Sequence, residues 1–532
     1  MISIKRAKII HDRYPLPILL ISLLFALKVF YLAFWVTPLW DVPDENGHFA
    51  YVQDLAEGRG MPLLGKAAIN KDIMSHLRKT NVKSKVDNWI AQHPPVYYAI
   101  AAVPYKIGSY FTNDVEVLYR LPRIASVLSG ALLLLVLFRS FRIVGLDTSR
   151  ATAIAAAVGF IPMVSHMSSG INNDISLFLF CALATYYFAR YLLQRNLRDA
   201  YFCALWMTIA GGTKMTAWVF LAPMVAILLL ELPGPVKSWG KHAAGISILA
   251  LSAPLAWMVR NIVHFGNPFY IAGSGSKVRF VEPVGRSFFE YLHLQPVFEH
   301  FMLNFYGLLG WCGTGSGQLA WFQVDRLPRD VFSILILCLA CISVVYVLVL
   351  MYRALAQAAP QLPGNSLLSW VGCLIAKNQY SKVLIVLTFV VALLLAGYIG
   401  MTTYVTPSLF GGARVLAVTM LIFVGILALG LLLFISDPID RIVLYGVFLL
   451  LFFGAILVYK VYGAYFWTGQ MRATHGRYFY PVIPVLLLSF AITLKRLHVP
   501  AVIIAIFAVL MACMELEAFV LQAIPFYLDG GL

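Results

Sequence analysis

The stretch Asp41-Val42-Pro43-Asp44-Glu45-Asn46-Gly47-His48 sets two adjacent carboxylates and an imidazole side by side. Such a set can abstract a proton or hold a cation. Pro43 interrupts any helix arriving from the N-terminal side, so Asp44 and Glu45 fall on a turn. Neighbouring side chains point to opposite sides of an extended turn, or sit about 100° apart on a helix, so the two carboxylates do not serve one proton. Asp44, directly after the fixed proline, is the preferred base, and Glu45 is the alternative. His48 lies within helical reach of either, where it can orient the base, bind substrate or only pack. The plain alternative is a solvated loop in which Asp44 caps a helix running through His48 and Tyr51.

Other polar residues interrupt apolar surroundings further along. Gln470-Met471-Arg472-Ala473-Thr474-His475-Gly476-Arg477-Tyr478 precedes an apolar run. A guanidinium there can fork onto a phosphate, or it can be an interfacial anchor beside an aromatic belt. Arg477, between Gly476 and Tyr478, is the first choice for an approaching lipid headgroup, followed by Arg472, Arg123, Arg120 and His93. Asn172, Asn173 and Asp174 stand at a hairpin tip, where they can bind an acceptor or a sugar. Equally, they can form a turn and a helix N-cap.

These residues are embedded in a chain of 532 residues that is 61% hydrophobic and only 12% charged, with a mean hydropathy of +0.82. That composition means a polytopic membrane protein. The net charge of +16 does not point to nucleic acid, because Lys and Arg sit mostly in short loops, as orientation signals and headgroup contacts. The cysteines are scattered. Cys338-Leu339-Ala340-Cys341 has a redox or metal spacing but lies in an apolar helix without polar neighbours, which reads as packing.

The basic N-terminus, residues 1–14, precedes an apolar run from Pro15 to Val36 that is too long for a signal-peptide core. It reads as an uncleaved anchor with the N-terminus inside. Residues 37–119 form a first outer loop. Within it, the run from His93 to Tyr110 is expected to lie along the membrane surface, since crossing would put Arg139, Arg142 and Arg150 outside. Crossings follow near 121–138, 151–167, 173–193, 200–214, 216–231 and 243–262, then a second large outer loop over 263–329 and a crossing at 331–352. Residues 353–382 form an inner loop, and further runs lie near 383–403, 414–436, 442–460, 477–494 and 499–519. The total is ~13 spans by the length a helix needs to cross hydrocarbon, with the C-terminus outside. No repeat or soluble domain stands out, so the chain reads as one membrane-embedded domain.

This layout gathers Asp41, Asp44, Glu45, His48, His93, Asn172, Asn173, Asp174, the loop from His264 to Asp325, Arg414 and the 470–478 cluster on the outer side. A transporter places polar groups near the midplane, reachable from both sides. An enzyme working at one surface gathers them there, and the asymmetry favours the enzyme.

The order of features resembles the GT-C glycosyltransferases, which take sugars from polyprenyl-phosphate carriers and include lipid A aminoarabinose transferases and protein O-mannosyltransferases. The shared elements are Asp44-Glu45 opening the first outer loop, His93-Pro94-Pro95-Val96-Tyr97-Tyr98, and Arg120-Leu121-Pro122-Arg123. Pro43-Asp44-Glu45 with His48, Asn172-Asn173-Asp174 and Gly476-Arg477-Tyr478-Phe479-Tyr480-Pro481 also resemble a bacterial membrane family of unknown function. That family is grouped with these enzymes and associated with surface polysaccharides. One departure is His93, where the aminoarabinose transferases have a Lys that contacts lipid phosphate.

The resemblance implies an all-α GT-C-like fold and an inverting transferase facing the periplasm from a bacterial inner membrane. It would move a sugar from a polyprenyl phosphate to a cell-envelope glycan, glycolipid or lipopolysaccharide. The implied roles are Asp44 or Glu45 as the base, Arg477, Arg472, Arg123, Arg120 and His93 on the donor phosphate, and His48, Asn173, Asp174, Tyr97 and Tyr478 on substrate. No metal or other cofactor is expected. The alternatives are an oligosaccharide ligase using a polyprenyl diphosphate, and a lipid-linked-sugar transporter.

Overall fold

A computed structural model describes residues 13–70, 86–233, 236–268, 326–358, 437–468 and 476–528, with Ile73, Tyr270 and short pieces between 301 and 323. The chain is helical. Among the described residues the strands are two short antiparallel pairs, Ala68–Ile69 with Val86–Asp87 and Leu308–Leu309 with Phe322–Gln323. Among the described residues six helical segments are long and apolar enough to cross a membrane: Leu16–Val36, Val115–Ile143, Asp174–Gln194, Ser238–Phe265, Asp330–Leu350 and Ala501–Ala523. The protein is therefore a multi-pass membrane protein. The expected spans at 383–403 and 414–436, with Arg414 and the inner loop after residue 358, lie outside the described residues.

The run expected to cross once over 151–167 is broken instead. Helix Thr148–Gly159 meets helix Pro162–Ser168 at a bend of 67°. Proline at the first position of the second helix cannot donate back to the preceding turn, so the first helix ends there. The break frees carbonyls inside the apolar region, and they need partners. Lys28 of helix Leu16–Tyr31 donates to the Gly159 carbonyl at 3.1 Å and pairs at 2.6 Å with Glu515 of helix Ala501–Leu516. Ser165 also donates to Glu515. The two halves of the break are thereby tied to two other helices.

The bundle has two chemically distinct ends. At one, the Arg139 guanidinium lies 4.2 Å from the Tyr14 ring centroid, Lys495 donates to the Val144 carbonyl at 3.1 Å, and Arg150 to the Val499 carbonyl at 2.8 Å. Glu231 pairs with both Arg195 and Arg441 there. At the other end the 37–44 turn, the 168–174 turn and the start of the 476–496 segment meet. Tyr527, near the C-terminus, donates to Asp41 at this end. Gly170 permits the contact between the first two turns, because a Cβ there would lie 2.2 Å from Val42 Cγ2.

Helix Val96–Gly108 lies beside helix Glu45–Ala56. At 13 residues it spans about 20 Å, short of the ~30 Å hydrocarbon core. Tyr97, Tyr98, Ala101 and Tyr105 face inward while Ile100, Val103 and Ile107 are exposed. That is the half-buried form expected for this run. Cys338 and Cys341 are free and exposed on helix Arg326–Ala358.

Candidate active site

The turn before helix Glu45–Ala56 is tight. Trp40 and Asp44 both have left-handed backbones, at φ 72° and 63°. Asp is among the residues that adopt this conformation at least cost, whereas an indole residue there is strained and must be held by its surroundings. Asp44 occupies the N-cap position, yet its side chain makes no capping bond. Its Oδ1 accepts from Trp89 Nε1 at 3.1 Å, its Oδ2 lies 4.0 Å from Arg477 Nη2, and the side chain is 31% exposed.

Glu45 points the other way. Its Oε1 accepts from Arg123 Nε and Oε2 from Arg123 Nη2, both at 2.8 Å. The backbone N–H groups of Trp40 and Ile171 complete the shell, at 2.8 and 2.9 Å. Arg123 spends its other donors on the carbonyls of Ala33, Thr37 and Pro38. All five guanidinium N–H bonds are thus used, and both side chains are fully buried. This pair is a lock. It fixes the end of the first span, the acidic turn and the 168–174 turn together, and leaves Glu45 no room to meet an acceptor proton nor Arg123 a donor for phosphate. Arg120 is likewise occupied, donating to the Thr37 carbonyl at 3.0 Å and to Glu116 at 3.4 Å.

The Asn172-Asn173-Asp174 turn divides its duties. Asn172 Oδ1 accepts from the N–H groups of Asp174 and Ile175, at 3.1 and 3.3 Å, and caps the following helix. The next two side chains are thereby released into the site. Asp174 accepts from Lys214 Nζ at 2.5 Å and from Arg477 Nε at 3.1 Å, all three largely buried. Two carboxylates, Asp44 and Asp174, and two cations, Lys214 and Arg477, form one neutral cluster. Arg477 lies in the 3₁₀ turn Gly476–Phe479, with Tyr478 beside it. The guanidinium carbon lies 6.0 Å from that ring's centroid and Lys214 Nζ 5.8 Å. The glycine before Arg477 makes room for the chain, not for a headgroup: a Cβ on Gly476 would lie 2.5 Å from the Phe305 Cα.

Lys214 was missed from the sequence. It sits in the short turn between helices Leu197–Gly211 and Trp218–Glu231, where it reads as a connection. A cation buried between apolar runs was the available signal. Trp89 was missed as well, since an indole in a loop carries no mark of the carboxylate it holds.

A second group adjoins the cluster. His48 Nδ1 and the Tyr98 hydroxyl are 2.9 Å apart, and Asn173 Nδ2 donates to the same hydroxyl at 3.2 Å. The His93 ring is parallel to His48 at 6.5 Å. His48 therefore faces Tyr98 and does not orient either carboxylate. Burial, with Lys214 nearby, lowers the His93 pKa to about 3 and holds His48 well below the usual imidazole range. Tyr97, expected on substrate, is an internal support: its hydroxyl is 3.0 Å from Ser126 Oγ and accepts from the Asn172 N–H at 3.0 Å. The Pro94-Pro95 segment is pinned by the Val96 N–H donating to the Gly212 carbonyl at 3.0 Å, next to Lys214. Arg472 lies outside the described residues.

Residues 92–257 match the family model described as dolichyl-phosphate-mannose-protein mannosyltransferase. Over that segment the chain is similar to this family of membrane glycosyltransferases. The matched segment carries His93, Tyr98, Arg123, Asn173, Asp174 and Lys214, while Asp44, Glu45, His48 and Arg477 fall outside it. The chain also pairs with the crystal structure of ArnT from Cupriavidus metallidurans in the apo state, at 15% identity and a TM-score of 0.38. That pairing covers 95% of this chain and 76% of the other, and at such a score it carries no argument. No curated protein matches the chain significantly.

Proposed function

We propose that this protein is a glycosyltransferase that moves a sugar from a polyprenyl-phosphate donor to a glycan or glycolipid of the bacterial cell envelope. The reaction inverts the anomeric centre and takes place at the periplasmic face of the inner membrane. The observation that carries the reading is the division of the acidic pair. Glu45 is sealed by Arg123, while Asp44 is partly open and faces Arg477 across 4.0 Å.

In the proposed step the acceptor hydroxyl gives its proton to Asp44 as its oxygen bonds the anomeric carbon. The bond from that carbon to the donor phosphate oxygen breaks, and the phosphate keeps the electron pair. Trp89 fixes the base by holding Oδ1. Arg477 and Lys214 supply positive charge where the leaving phosphate gains it, which is where preorganised charge lowers a barrier most. Both now rest on Asp174, so an entering phosphate exchanges one anionic partner for another and never meets an unpaired buried cation. Arg472 and His93 are further candidates for the same phosphate, and Tyr478 for the substrate. Arg120 and Arg123 act through the lock.

The test is incubation of the purified protein in vesicles with labelled polyprenyl-phosphate sugars and an envelope glycolipid extract. A new glycosidic product is expected. Movement of the lipid-linked sugar across the bilayer without product would replace this reading with the transporter. For the face, Asn113→Cys should react with a membrane-impermeant thiol reagent added from the periplasm and Ser149→Cys should not. The reverse pattern would turn the site to the cytoplasm.

A further inference from the structure

Beside the charged cluster runs a chain of uncharged groups whose proton positions can be assigned by accounting. Asn173 Nδ2 reaches the Thr213 carbonyl at 3.4 Å and the Tyr98 hydroxyl at 3.2 Å. A carbonyl only accepts, so the amide must present its NH₂ there, and its two N–H bonds serve these two acceptors. Tyr98 is buried, which pushes its pKa well above the usual phenol range and keeps its proton on. Having accepted from Asn173, the hydroxyl has its own proton left to donate, and His48 Nδ1 at 2.9 Å is the acceptor in line. His48 is held neutral, so with Nδ1 accepting, its proton sits on Nε2.

The chain therefore ends in two groups of opposite kind. At one end is Asn173 Oδ1, a fully buried acceptor with no partner. At the other is His48 Nε2–H, a donor that no described residue engages. A buried amide oxygen left without a donor is costly, and its two N–H partners forbid the flip that would relieve it. The ligand chemistry that fits one free donor and one free acceptor, both uncharged, is the hydroxyl, which accepts and donates at once.

We infer that His48, Tyr98 and Asn173 form a hydroxyl-reading subsite for the sugar of the donor, next to the cluster that takes its phosphate. This rests on the polyprenyl-phosphate reading of the site and adds to it which residues select the sugar and by what chemistry. Tyr98 is a positioning residue here, since it fixes which atoms of the other two are presented.

The test uses the full-length protein and begins with the wild type, where folding is not at issue. The donor is undecaprenyl phosphate carrying whichever neutral hexose is turned over, compared with its singly deoxygenated forms. One deoxy form should lose about 10–100-fold in kcat/KM, the range for a hydrogen-bonding site left unpaired, and the others under about fivefold. Tyr98→Phe should then reduce that discrimination to about threefold or less, while undecaprenyl phosphate without sugar inhibits as it does in wild type. His48→Leu and Asn173→Ala test each end separately, should Tyr98→Phe fail to fold. Equal use of every deoxy donor by wild type overturns the inference, as does discrimination that survives in all three variants. If no sugar-carrying donor is used or bound at all, the polyprenyl-phosphate reading fails first and the subsite falls with it.

Discussion

Glu45 and Arg123 are closed off from solvent and fully satisfied by each other and by the backbone around them, whereas Asp44, one residue earlier, is 31% exposed and meets Arg477 only across 4.0 Å. The first pair has the marks of architecture: every donor and acceptor used, no space for a ligand, and partners drawn from three separate segments. The second region, Asp44 with Arg477, Asp174 and Lys214, has the marks of a site: opposite charges balanced but exchangeable, and a free carboxylate edge. Adjacent residues of nearly identical chemistry acquire these different fates because a left-handed residue at position 44 turns their side chains apart. The residue types alone do not separate them.

The sharpest way to break that contrast is to unpair the lock. Arg123→Leu leaves the Glu45 carboxylate buried without its partner, which should cost about 3–5 kcal/mol. The thermal midpoint in detergent should fall sharply and the yield of folded protein with it. If Arg123→Leu melts like wild type, the pair is not structural. The neighbouring cluster should respond differently. Arg477→Lys keeps the charge but loses the fork, so donor use should weaken by roughly 1–3 kcal/mol with the melting point little changed. Normal donor turnover by Arg477→Ala would move the phosphate contact to Arg472 or Lys214.

A smaller effect comes from acid. His93 has its folded pKa lowered to about 3, against an unfolded value near 6.5. The unfolded chain therefore takes up a proton below about pH 6.5 while the folded chain does not. Stability is full above that pH and declines as pH falls toward 3, by about 1–2 kcal/mol between pH 6.5 and 5 once partial exposure is allowed for. His93→Gln should flatten the dependence of the melting midpoint on pH over that window. An unchanged slope would mean that His93 is solvated.

Much of this was legible before any coordinates. Hydropathy marked all six helices that are long and apolar enough to cross a membrane among the described residues, and residues expected on one side meet at one end of the bundle, such as Tyr14 with Arg139 and Asp41 with Tyr527. Short motifs also found Asp44, Asp174 and Arg477, because charge beside an apolar run is costly and so conspicuous. What stayed hidden was pairing over long sequence separation. Nothing in Glu45 announces Arg123, and nothing in Lys214 announces Asp174, since partner choice is settled by packing and not by local pattern. The break at Phe160–Ile161 was hidden for a similar reason. A proline after an apolar run reads equally as a kink within one span, and only Lys28 and Glu515, from two other helices, make the break tenable.

The central claim is that Asp44 takes the acceptor proton and that Glu45 only holds the turn. It is tested most directly by turnover per folded molecule of Asp44→Asn, with bound polyprenyl phosphate measured on the same sample. Asp44→Asn keeps the bond from Trp89 and the shape of the side chain, so folding and phosphate binding should match wild type. Transfer should fall by roughly 10²–10⁴-fold, the usual worth of a general base. Wild-type turnover by correctly folded Asp44→Asn would contradict the account.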